Sequence, residues 1–209
     1  MSFSENELEI WTHNLTKIYG IRGRRFKAVN KINISMEPGI HGFLGPNGAG
    51  KTTTINMLIG AISITEGKAR LRGKRAGSLE TRKFIGFLPQ DPIFYKNMTG
   101  LQYLIFKAQL NGVKKYQAKE KAIELLEFFN LLQAKDQKMG KYSGGMKQKT
   151  GLASALIHDP KLLILDEPTT NLDPIGRRDI IDKIRSLSKD MSIFVSSHIL
   201  MDKGRPFLI

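Results

Sequence analysis

The chain has 209 residues, of which 41% are hydrophobic and 25% charged, a composition that excludes wholesale disorder and predicts a single domain with one sizeable core. Lys and Arg number 33 against 19 Asp and Glu, and a net charge of +14 raises two readings, a footprint for nucleic acid or an anionic membrane surface, or solvated faces and loops. Cysteine is absent, which excludes disulfides, thiolate metal sites and cysteine nucleophiles, and no apolar run approaches the roughly 18 residues of a membrane span.

The N-terminal residues 1–9 are polar and acidic, unlike a secretory signal. Residues 8–38 alternate polar and apolar in places, as in Lys31-Ile32-Asn33-Ile34-Ser35-Met36, and predict antiparallel strands. An apolar run at 40–44 reads as a strand, and residues 51–59 as a helix that Gly60 can terminate. Residues 84–88 form another short strand, broken by Pro89. No strand is evident from 98 to 132. Residues 102–109 read as helix, and Ala122, Leu125, Leu126 and Phe129 recur at helical spacing, so residues 91–142 are expected to form a helical lobe. The continuous aliphatic runs at 162–165 and 193–195 predict buried parallel strands. Between them, residues 176–188 carry Ile180, Ile181, Ile184 and Leu187 on one helical side. This alternation defines an α/β fold with a mainly parallel sheet, an N-terminal antiparallel β part and an inserted helical lobe. The expected division is a core of residues 1–90 and 143–209 around the lobe at 91–142, all within one domain.

Gly45-Pro46-Asn47-Gly48-Ala49-Gly50-Lys51-Thr52 matches the G-x-x-x-x-G-K-[ST] phosphate loop, with a strand before it and a helix after it. The glycines let the backbone curl so that its N–H groups, and those of the helix start through Thr53, face a phosphate. Lys51 reaches the β- and γ-phosphates, and the Thr52 hydroxyl is a Mg²⁺ ligand. At 162–167, Leu-Leu-Ile-Leu-Asp-Glu brings two carboxylates to the carboxyl edge of the sheet. There Asp166 can hold the nucleotide's Mg²⁺ through water. Glu167 can orient or deprotonate an attacking water. Ser143 is a candidate helix N-cap, and Gly144 and Gly145 allow close approach, so this segment offers an anion a helix N-terminus and a hydroxyl.

Tyr142-Ser143-Gly144-Gly145-Met146-Lys147-Gln148 lies between the two nucleotide motifs. In that order the three resemble the signature set of ATP-binding cassette (ABC) ATPases, over about residues 15–198. The Ser-Gly-Gly-Met-Lys-Gln form is most similar to bacterial and archaeal transporter ATPases of the ABC-2 export type. The resemblance implies a P-loop NTPase fold and Mg-dependent hydrolysis of ATP to ADP and phosphate. Glu167 would be the general base. It further implies that Tyr19 stacks on adenine, that Gln90 senses Mg²⁺ and the attacking water, and that His198 contacts the γ-phosphate. Asp173, in Asn171-Leu172-Asp173-Pro174, would communicate across a dimer in which Ser143, Gly144 and Gly145 meet the ATP of the other subunit.

The implied partners are ATP, a second cassette and a separate membrane permease, which places the protein peripherally on the cytoplasmic face of the cell membrane. Tyr142 and Met146 depart from the usual leucine and glutamine of the signature. Eleven residues follow His198, where the family continues with a helix and further strands. The chain therefore reads as short at its C-terminus, and a truncated non-catalytic remnant stands as one alternative. A non-transport ABC ATPase acting on nucleic acid is the other; it is disfavoured because only one cassette is present and no sustained heptads separate the phosphate loop from the signature.

Overall fold

The aliphatic runs that lack alternation in the sequence become parallel strands covered on both faces. In the computed structural model, which describes residues 7–20 and 24–197, the strands are β1 (Ile10–Tyr19), β2 (Phe26–Ile32), β3 (Ser35–Met36), β4 (Ile40–Leu44), β5 (Glu66–Leu71), β6 (Lys74–Arg75), β7 (Ile85–Leu88), β8 (Leu162–Asp166) and β9 (Ser192–Ser197). The helices are α1 (Lys51–Leu58), α2 (Leu79–Arg82), α3 (Gly100–Leu110), α4 (Lys115–Phe128), α5 (Gly144–Leu156) and α6 (Pro174–Leu187). One sheet is antiparallel, in the order β2-β1-β5-β6 with β3 also on β1; the other is parallel, in the order β4-β9-β8-β7.

The parallel sheet sorts its side chains by period two. Leu162, Ile164 and Phe194 face a core shared with α1 and the antiparallel sheet, where Ile10, Leu15, Ile55 and Leu58 are fully buried. Leu163, Leu165, Ile193 and Val195 face the opposite core, built with α3 to α6. On α6, Ile180 and Ile184 are buried in that second core, with Leu187 packed against it.

Between β7 and β8 the described chain is helical, with short 3₁₀ turns at Leu132–Ala134 and Met139–Lys141. Helix α3 starts on a capping box, Thr99 and Gln102 each bonding the other's backbone N–H. Tyr142, the departure from leucine in the signature, is buried and donates its hydroxyl to Ala134 O at 2.7 Å. Its ring end leaves room only for a glycine at position 100, where a Cβ would lie 2.1 Å from the Tyr142 oxygen. Burial raises the Tyr142 phenol above its usual range, and Asp136 adds to the effect. Strands β5 and β6 and helix α2 were not expected from the sequence. In β5 only Ala69 and Leu71 are buried, so its period-two signal spans three residues. Among the described residues no helix is long and apolar enough to cross a membrane.

His158, just beyond α5, anchors that helix to β7 by donating Nε2–H to Ile85 O at 3.0 Å, while its Nδ1 is buried without a partner. Burial lowers its pKa below 6.5; Lys107 and Lys121 act in the same direction, and the Ile85 bond opposes them. A depressed folded pKa means that the unfolded chain binds the proton more readily. The stability contribution is therefore complete above pH 6.5 and is lost as the pH falls through the lower folded value. Thermal unfolding followed from pH 7.5 to 5 is expected to show a midpoint falling below pH 6.5, with a shallower fall in His158→Gln. An equal slope in the two proteins would exclude His158 as the source.

Candidate nucleotide site

Parallel register brings four strand ends to one edge. Leu44 pairs with Ser197, Asp166 with Ser196, and Leu88 with Leu165, so the segments that follow β4, β7 and β8 emerge side by side. These are the phosphate loop, Gln90 and Glu167. Gly45 N–H donates to Ser197 O at 3.3 Å, and Ala49 N–H to Pro46 O at 3.2 Å, which closes the loop. Gly50 has φ 89°, and a Cβ there would lie 2.4 Å from Ala28 O, so both backbone conformation and space require glycine. No side chain caps α1, which leaves its first N–H groups for a ligand.

Lys51 is 7% exposed. Its Nζ donates to Gly45 O at 2.8 Å and Pro46 O at 3.2 Å, and lies 3.3 Å from Glu167 Oε1. The ammonium thus turns inward onto loop oxygens and the carboxylate of the second motif. Asp166 ends β8 fully within the fold, and its Oδ1 accepts from Ser196 Oγ at 2.6 Å. Glu167 follows in a left-handed conformation, φ 50°, and donates its N–H to the same Ser196 oxygen at 3.0 Å.

A cleft of about 430 Å³ opens over this edge. Asn47, Gly48, Gly50, Lys51, Thr52 and Thr53 line it from the loop and α1, Gln90 and Glu167 from the sheet edge, and Phe26 and Ala28 from β2. Gly45 and Pro46 act from behind by holding Lys51, and Ala49 closes the turn. Tyr19 does not line the cleft. It is 43% exposed and carries the Lys17 ammonium over its ring at 5.2 Å, while its cross-strand partner Phe26 takes the cleft position. Phe26 and Ala28 were missed by sequence reasoning; the signal available was their two-residue spacing on a predicted strand. His198 lies outside the described residues.

Ser143, Gly144, Gly145 and Asp173 form a second group away from the cleft lining. Ser143 caps α5 by accepting Met146 N–H at 3.2 Å. Asp173 caps α6 by accepting Gly176 N–H at 3.0 Å, with Pro174 in the first turn. The hydroxyl proton of Ser143 and the N–H groups of Gly144 and Gly145 at the start of α5 are left for an anion. The buried Gln148 ties α5 to the segment after Glu167, donating Nε2–H to Pro168 O at 2.7 Å, and Lys149 pairs with Asp179 on α6 at 2.6 Å.

These groups suit a magnesium nucleotide. Uncapped N–H groups and one buried ammonium would meet phosphate, and the oxygens of Thr52, Asp166 and Gln90 are the hard donors that Mg²⁺ prefers. Fold and cleft together define a P-loop nucleotide-binding α/β protein. The family described as ABC transporter matches residues 29–170, and the chain belongs to it as an ATP-binding cassette.

Its relatives include the uncharacterized ABC transporter ATP-binding protein YxlF of Bacillus subtilis, 50% identical over 76% of this chain and 53% of that protein. The bacitracin transport ATP-binding protein BcrA of Bacillus licheniformis is 44% identical over 92% of this chain and 62% of that protein. The chain thus spans between about half and three-fifths of the length of these relatives. Among solved structures, MJ1267, an ATP-binding cassette of an ABC transporter, superposes with TM-score 0.81 at 28% identity, covering 92% of this chain and 82% of that one. Its ADP conformation superposes with TM-score 0.78.

Proposed function

We propose that the chain is the ATP-binding and ATP-hydrolysing subunit of an ABC transporter that powers export through a separate membrane permease. The observation that carries this reading is the convergence of Lys51, Glu167 and the uncapped start of α1 on one cleft. Lys51 and the loop amides would neutralise the β- and γ-phosphates, which supplies most of the catalysis in phosphoryl transfer. Phosphate would draw Lys51 away from Glu167, leaving that carboxylate to take a proton from the attacking water. Thr52 and Asp166, with Gln90, would hold Mg²⁺, which supplies further charge neutralisation at the phosphate oxygens. Tyr19, half-exposed outside the cleft lining and paired across the strands with the cleft residue Phe26, is proposed to meet the adenine where it projects beyond the cleft, and His198 to contact the γ-phosphate.

Ser143, Gly144, Gly145 and Asp173 would act on the ATP of a second cassette, each chain supplying both surfaces in a two-fold dimer. The helical segment at 91–142, with Ile93 and Tyr95 exposed after Gln90, would dock a cytoplasmic helix of the permease and so hold the cassette at the membrane. The relative named for bacitracin transport supports a transport role.

The test is twofold. Millimolar Mg-ATP is expected to raise the thermal midpoint by several degrees, because a ligand specific for the native state stabilises it by mass action. The chain is also expected to release phosphate from ATP and to co-purify with a multispanning membrane protein from its own host. No thermal shift and no phosphate release would leave only a remnant; salt-sensitive isolation with nucleic acid would replace the permease as partner.

A further inference from the structure

Ser196 belongs to neither nucleotide motif, yet one hydroxyl of this residue touches both carboxylate residues of the hydrolytic edge. It is fully buried in β9, directly opposite Asp166 in the parallel register. Its proton goes to Asp166 Oδ1 at 2.6 Å, and its oxygen receives Glu167 N–H at 3.0 Å. A hydroxyl is suited to this double task because it donates to an acceptor-only carboxylate and accepts from an amide at the same time. The second bond matters because Glu167 leaves the strand with φ 50°, a conformation that a non-glycine residue keeps only when its surroundings hold it there. In that conformation the Glu167 side chain lines the cleft and faces Lys51.

We infer that Ser196 is a positioning residue for ATP hydrolysis: its hydroxyl commits Asp166 Oδ1, leaving the second carboxylate oxygen for the metal side, and pins the left-handed turn that aims Glu167 into the cleft. The inference rests on the reading of Asp166 and Glu167 given under the proposed function. It predicts a defect in turnover and in Mg²⁺ coupling with little loss of nucleotide affinity, because the bonds that close the phosphate loop, Gly45 N–H to Ser197 O and Lys51 to Gly45 O and Pro46 O, do not use the Ser196 hydroxyl.

Ser196→Ala and the near-isosteric Ser196→Cys should each lower kcat at least tenfold, while the Kd for ATP changes less than threefold. The Mg²⁺ concentration that half-saturates the ATP-dependent thermal shift should rise several-fold in both, a readout independent of turnover. Ser196→Thr, which keeps the hydroxyl, should recover most of kcat. A purely structural serine would instead lower the thermal midpoint and scale kcat with the folded fraction, leaving the Mg²⁺ midpoint unchanged; that result overturns the inference, as does wild-type kcat in both Ala and Cys variants. Should Thr fail to fold, the agreement or disagreement of Ala and Cys in kcat and Mg²⁺ midpoint still decides. Glu167→Gln separates the two levels: wild-type turnover there removes Glu167 as base, whereas strong loss there with no effect of Ser196→Ala or Ser196→Cys removes Ser196 alone.

Discussion

Glu167→Gln is expected to lower ATP turnover by about 10²- to 10⁴-fold, the range over which a positioned general base contributes. The Kd for Mg-ATP should stay within a few-fold of the original. The amide keeps the volume and one oxygen of the carboxylate, so the cleft, the inward bonds of Lys51 to Gly45 O and Pro46 O, and the bond from residue 167 N–H to Ser196 are all preserved. The proton acceptor is lost, and with it the anionic partner of Lys51 3.3 Å away in the nucleotide-free protein. Single-turnover phosphate release read beside equilibrium ATP binding separates the two quantities. Unimpaired release would transfer the base role to another group.

Lys51→Met should damage two things at once. Charge-assisted hydrogen bonds to phosphate disappear, and the Kd for Mg-ATP is expected to rise by about 10²-fold. The nucleotide-free protein should also lose stability, because Glu167 stays buried and loses the cation 3.3 Å away. Removing one member of a buried ion pair costs roughly 3–5 kcal/mol. Lys51→Met combined with Glu167→Gln should therefore unfold at a higher urea midpoint than Lys51→Met alone, since residue 167 no longer carries the buried charge that Lys51 balanced. A double-mutant cycle in urea measures this coupling, and simple additivity would show that the pair contributes nothing to the resting fold.

The phosphate loop and the Asp166–Glu167 edge were legible in the sequence because their chemistry is local. A glycine turn, a lysine and a helix start follow one another in the chain, and the two acids end one aliphatic run. The central parallel strands were legible for the related reason that burial on both faces makes residues 162–165 and 193–195 continuous apolar runs. What escaped depends on pairing between distant segments. The identity of the cleft wall follows from the β1–β2 register, which sets Phe26 opposite Tyr19, and no residue type announces that register. The role of Ser196 needs β9 beside β8. The bond from Gln148 to Pro168 needs α5 packed near the strand end. Met146, noted as a departure, proves to matter locally through its backbone N–H, which Ser143 caps whatever the side chain.

The strand order β4-β9-β8-β7 also has a kinetic meaning. β9 wedges between the strand that feeds the phosphate loop and the strand that carries the acids. The bond from Gly39 N–H to Ser192 Oγ at its base joins residues 153 positions apart. Hairpin-like pairs in the antiparallel sheet can close early, since their loops are short, whereas β4 must wait for the distant β9, its strand neighbour among the described residues. During synthesis, then, the chain displays its glycine loop and its lysine long before the strand that supports them has left the ribosome. The catalytic edge cannot assemble before β9 takes its place between β4 and β8, and nucleotide would bind only chains in which that strand has slotted home.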